Sequence, residues 1–227
     1  NQSAPFQNAP VTQAVLDGLP RGETFDWVDR VSTELTAMML ATLFDFPWAD
    51  RRKLTHWSDV AIANIEAEDA VVKSEAERMA ELMQMAEIMG ALWKERAAQP
   101  PKFDLISMMA HSEATQNLPL REFIGTFGLL IVGGNDTTRN SMSGGLMAMI
   151  EHPGEVAKVR ADAGLLPSLV SETIRYQTPV IHMRRTATRD CELAGKAIAR
   201  GDKVVMWYVS GNRDEAAIEE PDRFVVG

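Results

Sequence analysis

The sequence predicts a mainly α-helical protein with a small β-sheet near its carboxyl end. Three observations lead there. From residue 23 to about 178, apolar side chains recur at three- and four-residue spacing, which is the pattern of helices that bury one stripe. From Met183 onward the pattern changes to short strand-like runs separated by turns at Ala194-Gly195 and Gly201-Asp202. The composition, 45% hydrophobic and 24% charged over 227 residues, is that of a globular chain long enough to bury a sizeable core. No internal repeat and no domain boundary stands out, so residues 1–227 are read as one domain.

Residues 1–22 carry Pro5, Pro10 and Pro20 and are expected to be loop. After Phe25-Asp26-Trp27 a helix is expected to about residue 44, on a stripe of Val31, Leu35, Met38, Met39 and Leu43. Pro47 ends it, and a second helical run covers 50–65. Residues 69–98 read as a long helix with Met79, Leu82, Met83, Met85, Met89 and Trp93 on its apolar stripe. Gln99-Pro100-Pro101 closes that helix. Its methionines are either core or an adaptable docking groove. A short helix at 103–111 precedes a central one at about 118–151, and helices at 155–163 and 169–177 complete the helical part. Strands are expected around Thr186 to Thr188, Leu193, Ile198 and 204–209. Coil follows, with one helical turn near Ala216.

The central helix is unusual. Gly125, Gly128, Gly133, Gly134, Gly144 and Gly145 lie within its apolar pattern. Each interior glycine costs about 1 kcal/mol against alanine, so something bulky is expected to approach the helix backbone closely.

Charge and cysteine usage exclude several classes of function. With 23 Lys plus Arg against 32 Asp plus Glu the formal charge is −9, and the resulting field opposes nucleic acid. A single cysteine, Cys191, excludes a disulfide framework and a multi-cysteine metal site, and it reads as a packing residue in a polar hairpin. No metal-ligand set is assigned. The longest apolar stretch, 123–134, has 12 residues where a membrane span needs about 20. The first residues have neither the basic start nor the apolar run of a signal peptide. A cytoplasmic protein without a membrane span is expected. The chain starts on Asn1 and stops at Val225-Val226-Gly227, so both ends are expected to be cut.

Three constellations carry chemistry. Gly133-Gly134-Asn135-Asp136-Thr137-Thr138 is no phosphate loop, because no lysine follows its glycines. In mid-helix, a threonine hydroxyl can bond back to the preceding turn and leave room for a small ligand or water, and Asp136 beside it can move protons. A polar patch in a helix–helix contact is the other reading. Glu172 and Arg175, three residues apart, share a helix face and can pair. Beyond them, an arginine of Arg184-Arg185 at a strand start can clamp a carboxylate or phosphate. The third constellation joins Gly211-Asn212-Arg213-Asp214 to Pro221-Asp222-Arg223-Phe224, each of which alone is turn chemistry.

Taken together and in this order, these motifs resemble those of the cytochrome P-450 family of haem-thiolate monooxygenases. The family's Ala/Gly-Gly-x-Asp/Glu-Thr-Thr run falls on 133–138, its Glu-x-x-Arg on Glu172 and Arg175, and the third member of its charged cluster on Arg223. The resemblance covers essentially the whole chain, while the chain covers the central portion of the family fold, truncated at both ends. The family's Phe-x-x-Gly-x-x-x-Cys-x-Gly loop is not present, and the ligand role is not carried onto Cys191. The axial cysteine of haem b is therefore expected outside this chain, and residues 1–227 alone are expected to be inactive. Within the family, the stretches 126–136 and 182–187 resemble soluble bacterial enzymes that hydroxylate the terminal methyl of alkanes and fatty acids.

The resemblance implies roles for single residues. Gly133 and Gly134 let the porphyrin and dioxygen approach, Thr137 and Asp136 handle protons, and Arg184 and His182 meet the haem propionates. Leu129, Val132, Val180 and Ile181 line a channel for a small apolar substrate. Glu172, Arg175 and Arg223 form a buried structural triad. Electrons originate in NAD(P)H and arrive through a ferredoxin and its reductase. Alternatives from the sequence are a P-450 acting on a terpene or another compact apolar substrate, a haem-free sensor of the same fold, and a helical interaction module without a cofactor.

Overall fold

The computed structural model describes the fold of residues 9–227. It is mainly helical, as the periodicity predicts, and its contacts group residues up to Arg139 into one compact unit and residues from Asn140 into a second.

In the first unit, α1 spans Ala9–Asp17. The expectation of loop over 1–22 is corrected there, whereas residues 1–8 lie outside the described residues. Pro10 is compatible with α1 because it falls in the first turn, where its missing N–H would have had no partner within the helix. A π-helical stretch, Val28–Thr33, leads into α2 at Glu34–Phe44. A 3-10 turn at Trp48–Asp50 precedes α3, Arg52–Ile62. Helix α4 runs Glu75–Ala97, six residues later at its start than the periodicity suggests. The cause is capping: Ser74 Oγ accepts the Glu77 amide at 3.2 Å and the Glu77 carboxylate accepts the Lys73 amide at 2.7 Å. Helix α5, Leu105–His111, is capped likewise by Asp104, whose carboxylate accepts the Ser107 amide at 2.7 Å.

The core of this unit lies among α2 to α5 and the first part of α6, Leu120–Glu151. Phe44, Trp57, Met85, Met89, Phe127 and Ile131 are essentially excluded from solvent. Phe127 stands 4.6 Å from Phe123 and 5.9 Å from Phe44, ring centre to ring centre. Met85 and Met89 are thus core, and among the α4 methionines only Met79 and Met83 are exposed.

In the second unit, the end of α6 is followed by α7 (Pro153–Ala161) and α8 (Leu166–Gln177). Thr178 ends α8 in the left-handed region, φ 45°, and is buried there with its hydroxyl donating to the Arg175 carbonyl. Strands β1 (His182–Thr186) and β4 (Lys203–Trp207) pair antiparallel, with Arg184 opposite Val205. Strands β2 (Cys191–Leu193) and β3 (Lys196–Ile198) form a separate hairpin, so the single expected sheet is two two-stranded ladders. The last strand stops two residues early, because Tyr208–Gly211 turns into a short helix, α9. Phe224 and Val226 are buried against Ala148, Leu165, Leu169 and Tyr176, and this cluster is the unit's small core.

Candidate functional site

The sequence places its candidate chemistry mid-way along α6, a helix about 48 Å long by its residue count. Among the described residues beyond the helix's own backbone, nothing stands within 4 Å of where a Gly133 β-carbon would be, and the position faces open space. Leu129, one turn earlier on the same helix face, is 74% exposed. One turn later, the Thr137 hydroxyl donates to the Gly133 carbonyl at 2.9 Å. The face through 129, 133 and 137 therefore presents a large apolar side chain, bare backbone and a hydroxyl in succession. Val132 is half-buried beside it.

Gly134 differs. A β-carbon there would lie 2.8 Å from Leu40 Cδ2, so its missing side chain is explained by the close approach of α2. The expectation that Gly134 makes room for a porphyrin is corrected: α2 occupies that side. The same reasoning disposes of Gly144 and Gly145, whose β-carbons would meet Gln177 and Thr173 of α8.

Asp136 is held by Arg139 at 2.7 Å, and Arg139 reaches Asp59 of α3 at 2.8 Å. Burial works against the charge on Arg139, but the two carboxylates outweigh it and raise the guanidinium pKa. A cavity of about 390 Å³ adjoins this pair, lined by Asp29, Thr33, Arg52, His56, Asp59 and Arg139 among others. The Asp136 ion pair therefore has a polar cavity on its Asp59 side. Asp59 was not singled out in the sequence, and no local signal could have found it, since it is 80 residues from Arg139. Arg139 had one: Asp136 and Arg139 share the i, i+3 spacing of Glu172 and Arg175.

In the second unit, Glu172 and Arg175 pair through two bonds of 2.7 Å. Arg175 also donates to the carbonyls of Asn212, Pro221 and Arg223, at 2.7 to 2.8 Å. Burial raises the Glu172 pKa, yet the bonds from Arg175 and the Val225 amide, with the charges of Arg175 and Arg213, bring it net below the usual carboxylate value. The triad expected with Arg223 is corrected. The Arg223 guanidinium is exposed and pairs with Glu220, and only its backbone carbonyl joins the cluster. Arg213 takes the second cationic place. It donates to the carbonyls of Pro221 and Tyr176 and lies 4.5 Å from the Tyr176 ring centre.

His182 and Arg184 stand two apart on β1 and so point to one side of the strand. Both are exposed, and the His182 ring lies against Trp207 at 4.9 Å. Arg184 makes no ion pair among the described residues. Ile181 is 56% exposed and Val180 half-buried. Cys191 is exposed on β2. No described helix is long and apolar enough to cross a membrane.

A long helix with a bare, apolar-flanked backbone face suits proteins that lay a helix over a flat prosthetic group. Comparison with known proteins gives the family: the model described as Cytochrome P450 matches residues 20–227, and the chain belongs to that family. Over 218 residues it is 37% identical to linalool 8-monooxygenase of Pseudomonas putida, which covers 94% of this chain and 52% of the relative. A methyl-branched lipid omega-hydroxylase of Mycobacterium tuberculosis is 34% identical, over 88% of this chain and 46% of its own length. Among solved structures, cytochrome P450-153 from Novosphingobium aromaticivorans is 47% identical with a TM-score of 0.84, over 96% of this chain and 53% of that one. CYP153D17 from Sphingomonas sp. PAMC 26605 is 49% identical with a TM-score of 0.85, over 95% and 54%. The chain thus spans about half the length of the relatives it matches.

The family's prosthetic group is haem b with an axial cysteine, supplied with electrons that originate in NAD(P)H. The residues present fit it in two respects. Gly133 leaves α6 open to a flat ring, and Arg184 is a cation with no carboxylate partner among the described residues, suited to a propionate.

Proposed function

We propose that the whole protein is a monooxygenase that inserts one oxygen atom of O2 into the terminal C–H of medium-chain alkanes or fatty acids. The second oxygen leaves as water, formed with two electrons and two protons. The observation that carries this reading is the helix face of Leu129, Gly133 and Thr137, an apolar contact and a hydroxyl separated by open backbone. Identities near one half to two solved cytochromes P450 support the monooxygenase reading, and the relative named methyl-branched lipid omega-hydroxylase supports the substrate class. A terpene substrate is the second reading, favoured by the relative named linalool 8-monooxygenase.

Bound haem supplies oxygen activation. The residues of this chain supply position and protons. Gly133 admits the ring, and Arg184, with His182 beside it, neutralises propionates. Leu129, Val132, Val180 and Ile181 offer the substrate apolar surface only. Protons enter from the polar cavity past Asp59 and Arg139 to the Asp136 carboxylate, and Thr137 Oγ1 delivers them. A ferredoxin and its reductase are the electron donors, and the setting is cytoplasmic. Both compact units belong to one cytochrome P450 domain, and residues 1–227 alone are inactive.

The test uses the full-length reading frame with haem. Incubation with n-octane, a twelve-carbon fatty acid and linalool, with products located by mass spectrometry, should give terminal alcohols from the first two. Oxidation of linalool alone would favour the second reading. In the same assay Thr137→Ala should keep consuming NAD(P)H while product per electron falls about tenfold or more, the scale of one lost proton-transfer group. Unchanged coupling removes Thr137 from proton delivery.

A further inference from the structure

We propose that Asn135 is a positioning residue whose contact with Thr36 of α2 fixes the azimuth of the helical turn presenting Gly133, Asp136 and Thr137. The inference rests on the monooxygenase reading for its consequence, but on geometry alone for the contact. Asn135 is fully buried in the first unit, against buried Thr36 of α2. Thr36 Oγ1 lies 2.9 Å from Asn135 Oδ1 and 3.0 Å from each of the Ser32 and Thr33 carbonyls. Its one proton can serve one of these three oxygens at a time. Asn135 Nδ2, also buried, has no hydrogen-bond partner among the described residues.

A leucine would avoid that orphaned donor and would pack against α2 without direction. An asparagine at the contact costs stability and contributes orientation, because its bond to Thr36 forms at one helix rotation only. Gly134 sets how closely α6 meets α2, with Leu40 one turn along from Thr36 filling the space of the missing side chain. Asn135 sets the angle. Residues 133 and 137 each lie about 160° round the helix from residue 135. Pinning Asn135 toward α2 therefore aims Gly133 and Thr137 away from the core.

Four variants of the full-length protein test this. Asn135→Leu should keep or raise the melting temperature, since the orphaned amide is gone and the Thr36 hydroxyl still has the Ser32 and Thr33 carbonyls. Thr36→Val should lower it by a few degrees, because Asn135 loses the one partner it has. The double variant should recover the loss. In all three, amide hydrogen exchange over 133–138 should quicken about tenfold, and product per electron should fall at least about twofold. Thr36→Ser, which keeps the hydroxyl, should match the parent in every readout. A contact that is merely structural would make coupling follow melting temperature, so a double variant restored in both overturns the proposal. Parental exchange in Asn135→Leu overturns it as well. Exchange and melting are read without turnover. Faster exchange in a protein that oxidises none of the substrates would therefore sink the monooxygenase reading while leaving the pin standing.

Discussion

Arg139 of α6 and Arg175 of α8 each stand three residues after an acid on the same helix, Asp136 and Glu172, yet their surroundings differ. Arg175 spends all five of its N–H groups: two on Glu172 and three on the carbonyls of Asn212, Pro221 and Arg223. It fastens a non-helical segment whose own backbone has no ladder to satisfy it. Arg139 instead bridges two side-chain carboxylates, Asp136 and Asp59, at the edge of a polar cavity. The first arrangement is over-determined and resists change. The second joins side chains that can rotate, which suits the proton-exchanging role proposed for Asp136. Identical spacing in sequence therefore says that a pair forms. What surrounds the arginine distinguishes a pair that fastens backbone from one that joins two side chains beside a polar cavity.

Breaking the pairs should separate them. Glu172→Ala leaves Arg175 beside an empty place and removes the acceptor of the Val225 amide. It should cost about 3 kcal/mol, the low end for breaking a buried pair, seen as a lower urea midpoint and reduced haem content. Comparable stability and haem content would contradict the structural role. Arg213→Ala should come next, at about 2 kcal/mol for two lost charged bonds to carbonyls. Arg223→Ala should leave the urea midpoint where it is, and equal losses in these two variants would restore Arg223 to the cluster. Arg139→Gln should cost about 1 kcal/mol or less, as a partly exposed pair does, while lowering product per electron. A stability loss as large as that of Glu172→Ala would erase the contrast.

Acid sharpens the same comparison. The carboxylates of Glu172 and Glu155 accept the backbone amides of Val225 and Val226, and both have pKa values lowered from the usual 4.5. For Glu155 the bond from Lys158 is the leading cause; for Glu172 the bonds from Arg175 and Val225 overcome burial. A lowered folded-state value means stability that is present above the ordinary value and lost as the pH falls through the lowered one. Exchange at Val225 and Val226 should therefore quicken below about pH 4.5, and Glu172→Gln should flatten that response at Val225.

The order of the helices was legible because each buries a stripe at its own period, and the boundary errors trace to local chemistry. Residues 69–74 continue the apolar pattern of α4, but Ser74 and Glu77 satisfy the first amides and start the helix at Glu75. Residues 9–17 carry a proline, which reads as a loop signal until its place in the first turn makes it harmless. The candidate site was legible in part. Asp136, Thr137 and Gly133 sit together because they are neighbours on one helix. Gly134 belongs with them in sequence and yet faces α2, since 100° of helix rotation separates adjacent residues.

What this sequence determined by itself is whatever one helix can specify: the three-residue spacing that lets Asp136 meet Arg139 and Glu172 meet Arg175, and the family those motifs define. Only the tertiary structure decided that Leu40 fills the space beside Gly134, that Thr36 meets Asn135, that Asp59 completes the pair at Asp136, and that the Arg213 side chain rather than that of Arg223 shares the Pro221 carbonyl with Arg175. The reason is physical. A contact within a helix follows from 3.6 residues per turn, whereas a contact across 37 or 99 residues depends on where the intervening chain lies, and no local spacing encodes that.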